Sequence, residues 1–186
     1  IINDHDTKKA VEVINKERES TPDSEIRKAL ADSYKVGDFF EESTSIPDNS
    51  NDLVEIDPPY VIDLTEGAIK RSSQREKDKY NEWPADKFKK KYSKMLSEAY
   101  RVLKKDGWLI CWFGTEPWFE GVYREIVDAK FMCKRIPGIW DKKVAGQVNH
   151  PEQSLANSYE MFFYARKGKA VIQKQGHSNI YRHKPV

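Results

Sequence analysis

The sequence predicts an α/β fold, a largely parallel sheet with helices on both faces in a doubly wound arrangement. Three observations carry that expectation. Phe88, Tyr92, Met95, Leu96, Ala99, Val102 and Leu103 follow the three-and-four spacing of an amphipathic helix across Asp86 to Lys104. Trp108 to Phe113 is a near-continuous apolar run, as in a parallel strand covered on both sides. Around these two segments strand-like and helix-like stretches alternate, the pattern of βαβ units with right-handed crossovers.

The elements follow in order. Residues 5–18 read as a charged helix with a thin apolar stripe of Val11, Val13 and Ile14. A second helix starts at the Thr21 cap, with Pro22 in its first turn and Asp23 and Glu25 favouring its positive end, and runs to about Ser33. Residues 1–33 are therefore expected to form an N-terminal helical extension to a domain over 34–186. Tyr34 to Val36 reads as a short strand, Phe39 to Glu42 as a helical turn, and Pro47 to Ser50 as a loop. Leu53 to Ile56 reads as a strand running directly into Asp57. Residues 61–84 have no clear period and read as a long mobile loop, a length that usually carries function. The helix over Asp86–Lys104 ends in Lys104-Lys105-Asp106-Gly107, cations at the negative end with glycine just beyond. A helix over Pro117–Ala129 and strands over Phe131–Ile136 and Tyr159–Ala165 complete the pattern.

Composition bounds the class. At 186 residues, with 33% charged and 12% aromatic residues, the chain reads as one soluble globular domain. No apolar run nears the roughly 20 residues that span a bilayer, and no signal peptide is visible, so a cytoplasmic protein is expected. The chain opens on Ile1 rather than Met, which reads as a processed or trimmed product. Cys111 and Cys133 have no metal-type spacing and are expected to be buried free thiols; no metal site is expected. Charge is unevenly spread: residues 1–69 hold 7 Lys/Arg against 17 Asp/Glu, whereas residues 70–105 hold 13 against 5. Residues 166–186 hold 6 Lys/Arg and no acid. Such basic stretches suit a phosphate backbone, although lysine-rich helix faces are also common on surfaces that bind nothing.

The chemistry lies in Asp57-Pro58-Pro59-Tyr60, at the carboxyl end of a strand, where open α/β sheets bind ligands. Two successive prolines fix φ and remove two N–H groups, leaving a stiff segment whose carbonyls point in set directions. Asp57 supplies a further acceptor and Tyr60 a flat stacking surface. The set suits methylation of an exocyclic amino group, whose lone pair is delocalised into its ring. The Asp57 carboxylate and the Pro58 carbonyl would take its two N–H groups, pyramidalise the nitrogen and stabilise the positive charge that develops there. Tyr60 would stack on a base flipped from the duplex. A chance match to such a tetrapeptide in this length is roughly a one-in-a-hundred event.

The tetrapeptide, the Gly37-Asp38 and Ile46–Val54 lead-in, Arg101–Gly107, Ile139–Lys142, Tyr159-Glu160 and Arg166–Lys169 together resemble the DNA amino-methyltransferases. The likeness is to their permuted group, in which the catalytic motif precedes the cofactor's glycine-rich loop, and it extends from about Val36 to Lys169. It implies a Rossmann-like class I methyltransferase sheet and S-adenosylmethionine as cofactor. It also implies double-stranded DNA as partner, with adenine N6 ahead of cytosine N4 because position 57 is Asp, the enzyme acting alone or beside a restriction-enzyme counterpart. Asp57, Pro58, Pro59 and Tyr60 would be catalytic. Asp38 would bind the cofactor's adenine amino group, Phe39 would pack on its ring, and Asp57 would also line the cofactor site. Asp38 capping the turn of Phe39–Glu42 is the plainer reading, and the two are compatible. Trp140 and Lys142 could face DNA, but Trp140, like Trp112 and Phe113, reads as core.

One part of the pattern is missing. No Phe-x-Gly-x-Gly loop is present; Phe113-Gly114-Thr115 resembles only its start. In the permuted group that loop follows a segment that His183-Lys184-Pro185 approaches. The expectation is therefore a partial catalytic domain whose natural chain continues past Val186. Alone it would bind S-adenosylmethionine weakly or not at all. Methylation of RNA or of a glutamine side chain, and nucleic-acid binding without turnover, are the competing readings.

Overall fold

The computed structural model describes residues 34–60, 83–143, 151–153 and 155–184. The helices expected over 5–18 and 21–33, and nearly all of the loop over 61–84, lie outside them. The described elements run α1 (Phe39–Glu42), β1 (Asn51–Ile56), α2 (Phe88–Val102), β2 (Leu103–Phe113), α3 (Thr115–Asp128), β3 (Met132–Cys133), β4 (Gly138–Asp141), β5 (Tyr159–Arg166) and β6 (Ile180–Arg182). Short 3₁₀ turns follow α1 and precede α2.

The α/β class is as expected, but the sheet is mixed. Its order is β1-β2-β5-β4-β6, with β3 also on β5. β1 and β2 are parallel, joined through α2, and β4 and β6 are parallel; β5 is antiparallel to β2, β3 and β4. The expected strand over Phe131–Ile136 is interrupted. Met132-Cys133 pairs with Arg166 and Ala165, the chain leaves the ladder at Lys134–Pro137, and β4 resumes along the same edge of β5. Pro137 has no N–H for the ladder. Gly138 then lies directly under Phe162, whose ring would be 2.1 Å from a Cβ there. The expected strand at Tyr34–Val36 does not form; these residues have no regular structure, and Tyr34 and Val36 are about half exposed.

Alternation along the strands divides the sheet's two faces. Ile56, Leu109, Cys111, Phe113, Phe163 and Ala165 face α2 and α3 and form the core with Tyr92, Met95, Leu96, Val122 and Ile126. Phe113 and Phe163 stack at 4.6 Å across the ladder, and Phe88 of α2 stacks on Trp118 of α3 at 4.1 Å. Glu116 is extended (φ −107°, ψ 128°), as the residue before Pro117 prefers, so continuous helix begins at 117 as expected. On the opposite face Trp108, Ile110, Trp112, Trp140, Phe162, Tyr164 and Tyr181 line a groove of about 860 Å³. Phe113 is core, but Trp112 and Trp140 are half-buried on this second face, their indole N–H groups donating to Glu55 (2.8 Å) and to the His183 carbonyl (2.9 Å). Both described long helices lie on the first face.

The end of α2 differs from its sequence signal. Leu103 turns extended at once, and the residue with positive φ is Asp106 (φ 65°), not Gly107. Tertiary donors replace a glycine cap. Lys167 Nζ donates to the Tyr100 and Leu103 carbonyls at 2.8 and 2.7 Å, and the Asn49 and Ser50 N–H groups donate to those of Arg101 and Val102. The orphan carbonyls of the last turn are thereby satisfied. Gly107 is needed for close approach, since a Cβ would meet the Asp52 carbonyl oxygen at 2.9 Å. Arg101 donates to the Ser43 and Ile46 carbonyls and pairs with Asp48 and Glu98, fastening the lead-in to β1 against α2. Cys111 is buried and Cys133 half-buried, both free thiols pushed up by burial, to about 12 and about 11.

Candidate active site at the carboxyl end of β1

Ile56 is buried and pairs with Cys111, so Asp57 emerges just past the ladder, level with Trp112. Pro58 is buried, Pro59 and Tyr60 are half-buried, and Asp57 is exposed. The segment is held from two sides. The hydroxyl of Tyr92, a fully buried side chain of α2, donates to the Pro59 carbonyl at 3.5 Å. Tyr60 packs over Gly114, whose added Cβ would lie 3.1 Å from the Tyr60 Cβ. The Tyr60 hydroxyl in turn donates to the Asp57 carboxylate. Sequence reasoning does not single out Gly114 or Tyr92 as site residues. Gly114 enters the sequence reading only through Phe113-Gly114-Thr115, as a likeness to the start of a glycine-rich loop, and Tyr92 looks like any core position of the helix.

Electrostatics marks the same residues. Partial desolvation pushes the Asp57 carboxyl above its ordinary value of 3.8; the Tyr60 hydrogen bond opposes this, and the Glu160 and Glu55 charges add to it. Burial, then the charges of Asp57 and Glu160, push the Tyr60 hydroxyl far up, so it remains a donor at any physiological pH. Perturbed groups gathered at a strand's carboxyl end make this segment the candidate site.

Asp38 caps α1, its Oδ1 accepting from the Phe40 N–H at 2.7 Å. This is the plainer of its two expected roles, and the second carboxylate oxygen leaves capacity for the other. Phe39 and Phe40 are half-buried against the core. Phe40 leads to Trp83 (6.1 Å) and Trp83 to Tyr92 (5.9 Å), so ring contacts connect the Asp38 turn with the residue that holds Pro59. Lys91 and Lys94 lie over the Phe40 ring at 5.0 and 4.7 Å, and Lys89 and Lys90 are exposed on the same helix. Other cations of the basic stretches do structural work: Lys104 pairs with Asp52, Lys167 caps α2, and Arg166 binds the Ala170 carbonyl. Lys142 pairs with Glu160.

Among the described residues no cluster of side chains could hold a metal ion, and no helix is long and apolar enough to cross a membrane. Of the residues that the family resemblance assigns to the cofactor and its methyl acceptor, Asp57 and Pro58 stand at the end of β1, and Asp38 and Phe39 at the start of α1. A glycine-rich loop for the cofactor's carboxylate end is absent from the sequence.

The fold and this site define a methyltransferase-like mixed α/β sheet with a proline-stiffened loop at the carboxyl end of β1. The sequence profile of the N6/N4 DNA methylase family matches residues 51–185, and the chain belongs to that family. No significant match is found among curated proteins. Among solved structures, the cytosine-N4-specific PvuII DNA methyltransferase aligns at a TM-score of 0.53 with 14% identity, over 81% of this chain and 56% of that one. The candidate DNA modification methylase TTHA0409 of Thermus thermophilus aligns at 0.48 with 19% identity, over 75% and 56%. A structure of TTHA0409 complexed with S-adenosyl-L-methionine aligns at 0.47, with 20% identity over 75% and 55%. The chain thus spans about half the length of the structures it matches.

Proposed function

We propose that this chain carries the acceptor half of an S-adenosylmethionine-dependent DNA amino-methyltransferase, acting on adenine N6. The observation that supports it most is Asp57-Pro58-Pro59-Tyr60 at the carboxyl end of β1, stiffened by two prolines and braced by Tyr92 and Gly114, in a chain of the N6/N4 family. The cofactor supplies an activated methyl on a sulfonium. The chain's residues do the rest. The Asp57 carboxylate and Pro58 carbonyl accept the two N–H groups of the target amine and direct its lone pair, and Tyr60 stacks on the extruded base. Asp38 and Phe39 bind the cofactor's adenine. The exposed lysines of α2 contact phosphates, which makes binding salt-dependent.

The test is transfer of labelled methyl to unmethylated DNA, followed by digestion and chromatography of the nucleosides. Label in N6-methyladenine supports the reading, and label in N4-methylcytosine moves it to the cytosine substrate, whose amino group has the same geometry. Asp57→Ala is expected to reduce transfer by at least about a hundredfold. Transfer that survives this substitution overturns the mechanism. DNA binding with a steep salt dependence and no transfer favours a second reading, a nucleic-acid-binding chain without turnover. Its support is the row of exposed lysines on α2, which suits a phosphate backbone with or without transfer. A restriction-enzyme counterpart would show as protection of the methylated DNA from cleavage.

A further inference from the structure

Asp57 continues the alternation of β1 and faces the same side of the sheet as Glu55. Trp112 stands level with it on β2 and pairs with Phe162 on β5. Glu160, two residues from Phe162, therefore shares that face and projects at the same carboxyl end. It pairs across the ladder with Trp140, and Lys142, two residues beyond Trp140, closes an ion pair on its carboxylate. The pair is shielded, with side chains 27% and 32% exposed, and the Lys142 N–H is fixed to the Ser158 carbonyl at 2.9 Å. The Glu160 charge acts on both Asp57 and Tyr60. Tyr159-Glu160 belongs to the family pattern described above, but no role is assigned to Glu160 there.

We propose that Glu160 is a second carboxylate of the site, a positioning residue held by Lys142, which supplies negative potential where the acceptor nitrogen becomes cationic. The inference rests on the methyltransferase reading. In the transfer the amine lone pair forms the new N–C bond, and the pair of the breaking C–S bond returns to sulfur. Nitrogen then carries the positive charge until a proton passes to solvent water. Positive charge thus moves from sulfur to nitrogen, and an anion already fixed on the nitrogen side favours that movement without reorganising. The groups facing Asp57 are Glu55 on its own strand, Tyr60, and Glu160 with Lys142 across the sheet; Glu55 is bonded to Trp112 and Glu160 is paired, so each is held in place.

Glu160→Gln, Lys142→Met and the double variant test this with two measurements on the whole protein: the Asp57 carboxyl titration by carbon NMR, and the pH profile of methyl transfer to DNA. Glu160→Gln is expected to lower the Asp57 midpoint by roughly half to one pH unit. It slows transfer about tenfold at pH 8, with KM values for DNA and cofactor within about twofold, and moves the acidic limb down with Asp57. Lys142→Met raises the midpoint, and adding Glu160→Gln returns it to the single-variant value. An Asp57 midpoint that Glu160→Gln leaves in place overturns the coupling. Slower transfer with an unmoved acidic limb assigns Glu160 a structural role instead. If the wild-type protein transfers no methyl group, the functional reading fails and the catalytic part of this proposal with it, while the Asp57 titration still decides the coupling.

Discussion

On one face of the sheet Leu109, Cys111, Phe113, Phe163 and Ala165 are sealed under α2 and α3. One residue along the same strands, Trp108, Ile110, Trp112, Phe162 and Tyr164 line an open groove of about 860 Å³. The first face holds stacked rings and buried aliphatics; the second brings its indoles to Glu55 and the His183 carbonyl and carries Asp57 and Glu160 at its end. The difference separates two tasks. Stability is concentrated where water is excluded, and polar chemistry is set at the edge of a surface that can still receive something. The Asp57–Tyr60 segment draws on both, braced from the sealed side by Tyr92 while Asp57 faces out on the other.

Neighbouring residues of β2 probe this division most strongly. Leu109→Ala empties a fully buried site and is expected to cost about 3 kcal/mol, whereas Ile110→Ala should cost under about 1.5 kcal/mol, by denaturant unfolding. Equal losses would break the comparison. Lys167→Met removes the donor that serves the carbonyls at the end of α2 and should cost about 1–2 kcal/mol in the same assay, with little effect on DNA binding. A large fall in DNA affinity without loss of stability would move Lys167 to the binding surface. The smallest effect is at Asp57. Its carboxyl is raised in the folded state, so folding favours the protonated form. Below the unfolded value both states are protonated and no penalty exists; the penalty builds as pH rises from the unfolded value to the raised folded one, and it persists at neutral pH. Asp57→Asn should therefore raise Tm by about 1–2 °C at pH 7 and leave it unchanged at pH 3. A loss of Tm at pH 7 would show that Asp57 stabilises the fold rather than burdening it.

Much of this layout is legible in the sequence, for reasons that also explain the failures. The α2 stripe and the tetrapeptide at a strand end are local patterns, and both stand where expected. Trp112 escapes a correct reading because an unbroken apolar run does not say whether both faces of its strand are covered. Tyr34–Val36 has the composition of a strand, but among the described residues no neighbour pairs with it. The cap of α2 departs from its local signal because its donors, Asn49, Ser50 and Lys167, lie on distant segments that only folding brings together. The bonds from Tyr92 to Pro59 and from Lys142 to Glu160 are invisible for the same reason.

β1 ends the sheet order among the described residues, and it carries Leu53 about half exposed beside the charged Asp52 and Glu55. Where such an edge stays open, a terminal strand is a template for an extended polypeptide, and charged neighbours are a usual deterrent to self-association. Handling follows from that. Concentrated preparations should stay dispersed in low-salt buffer and begin to clump as salt screens those charges, so purification of this protein is best kept away from high-salt steps.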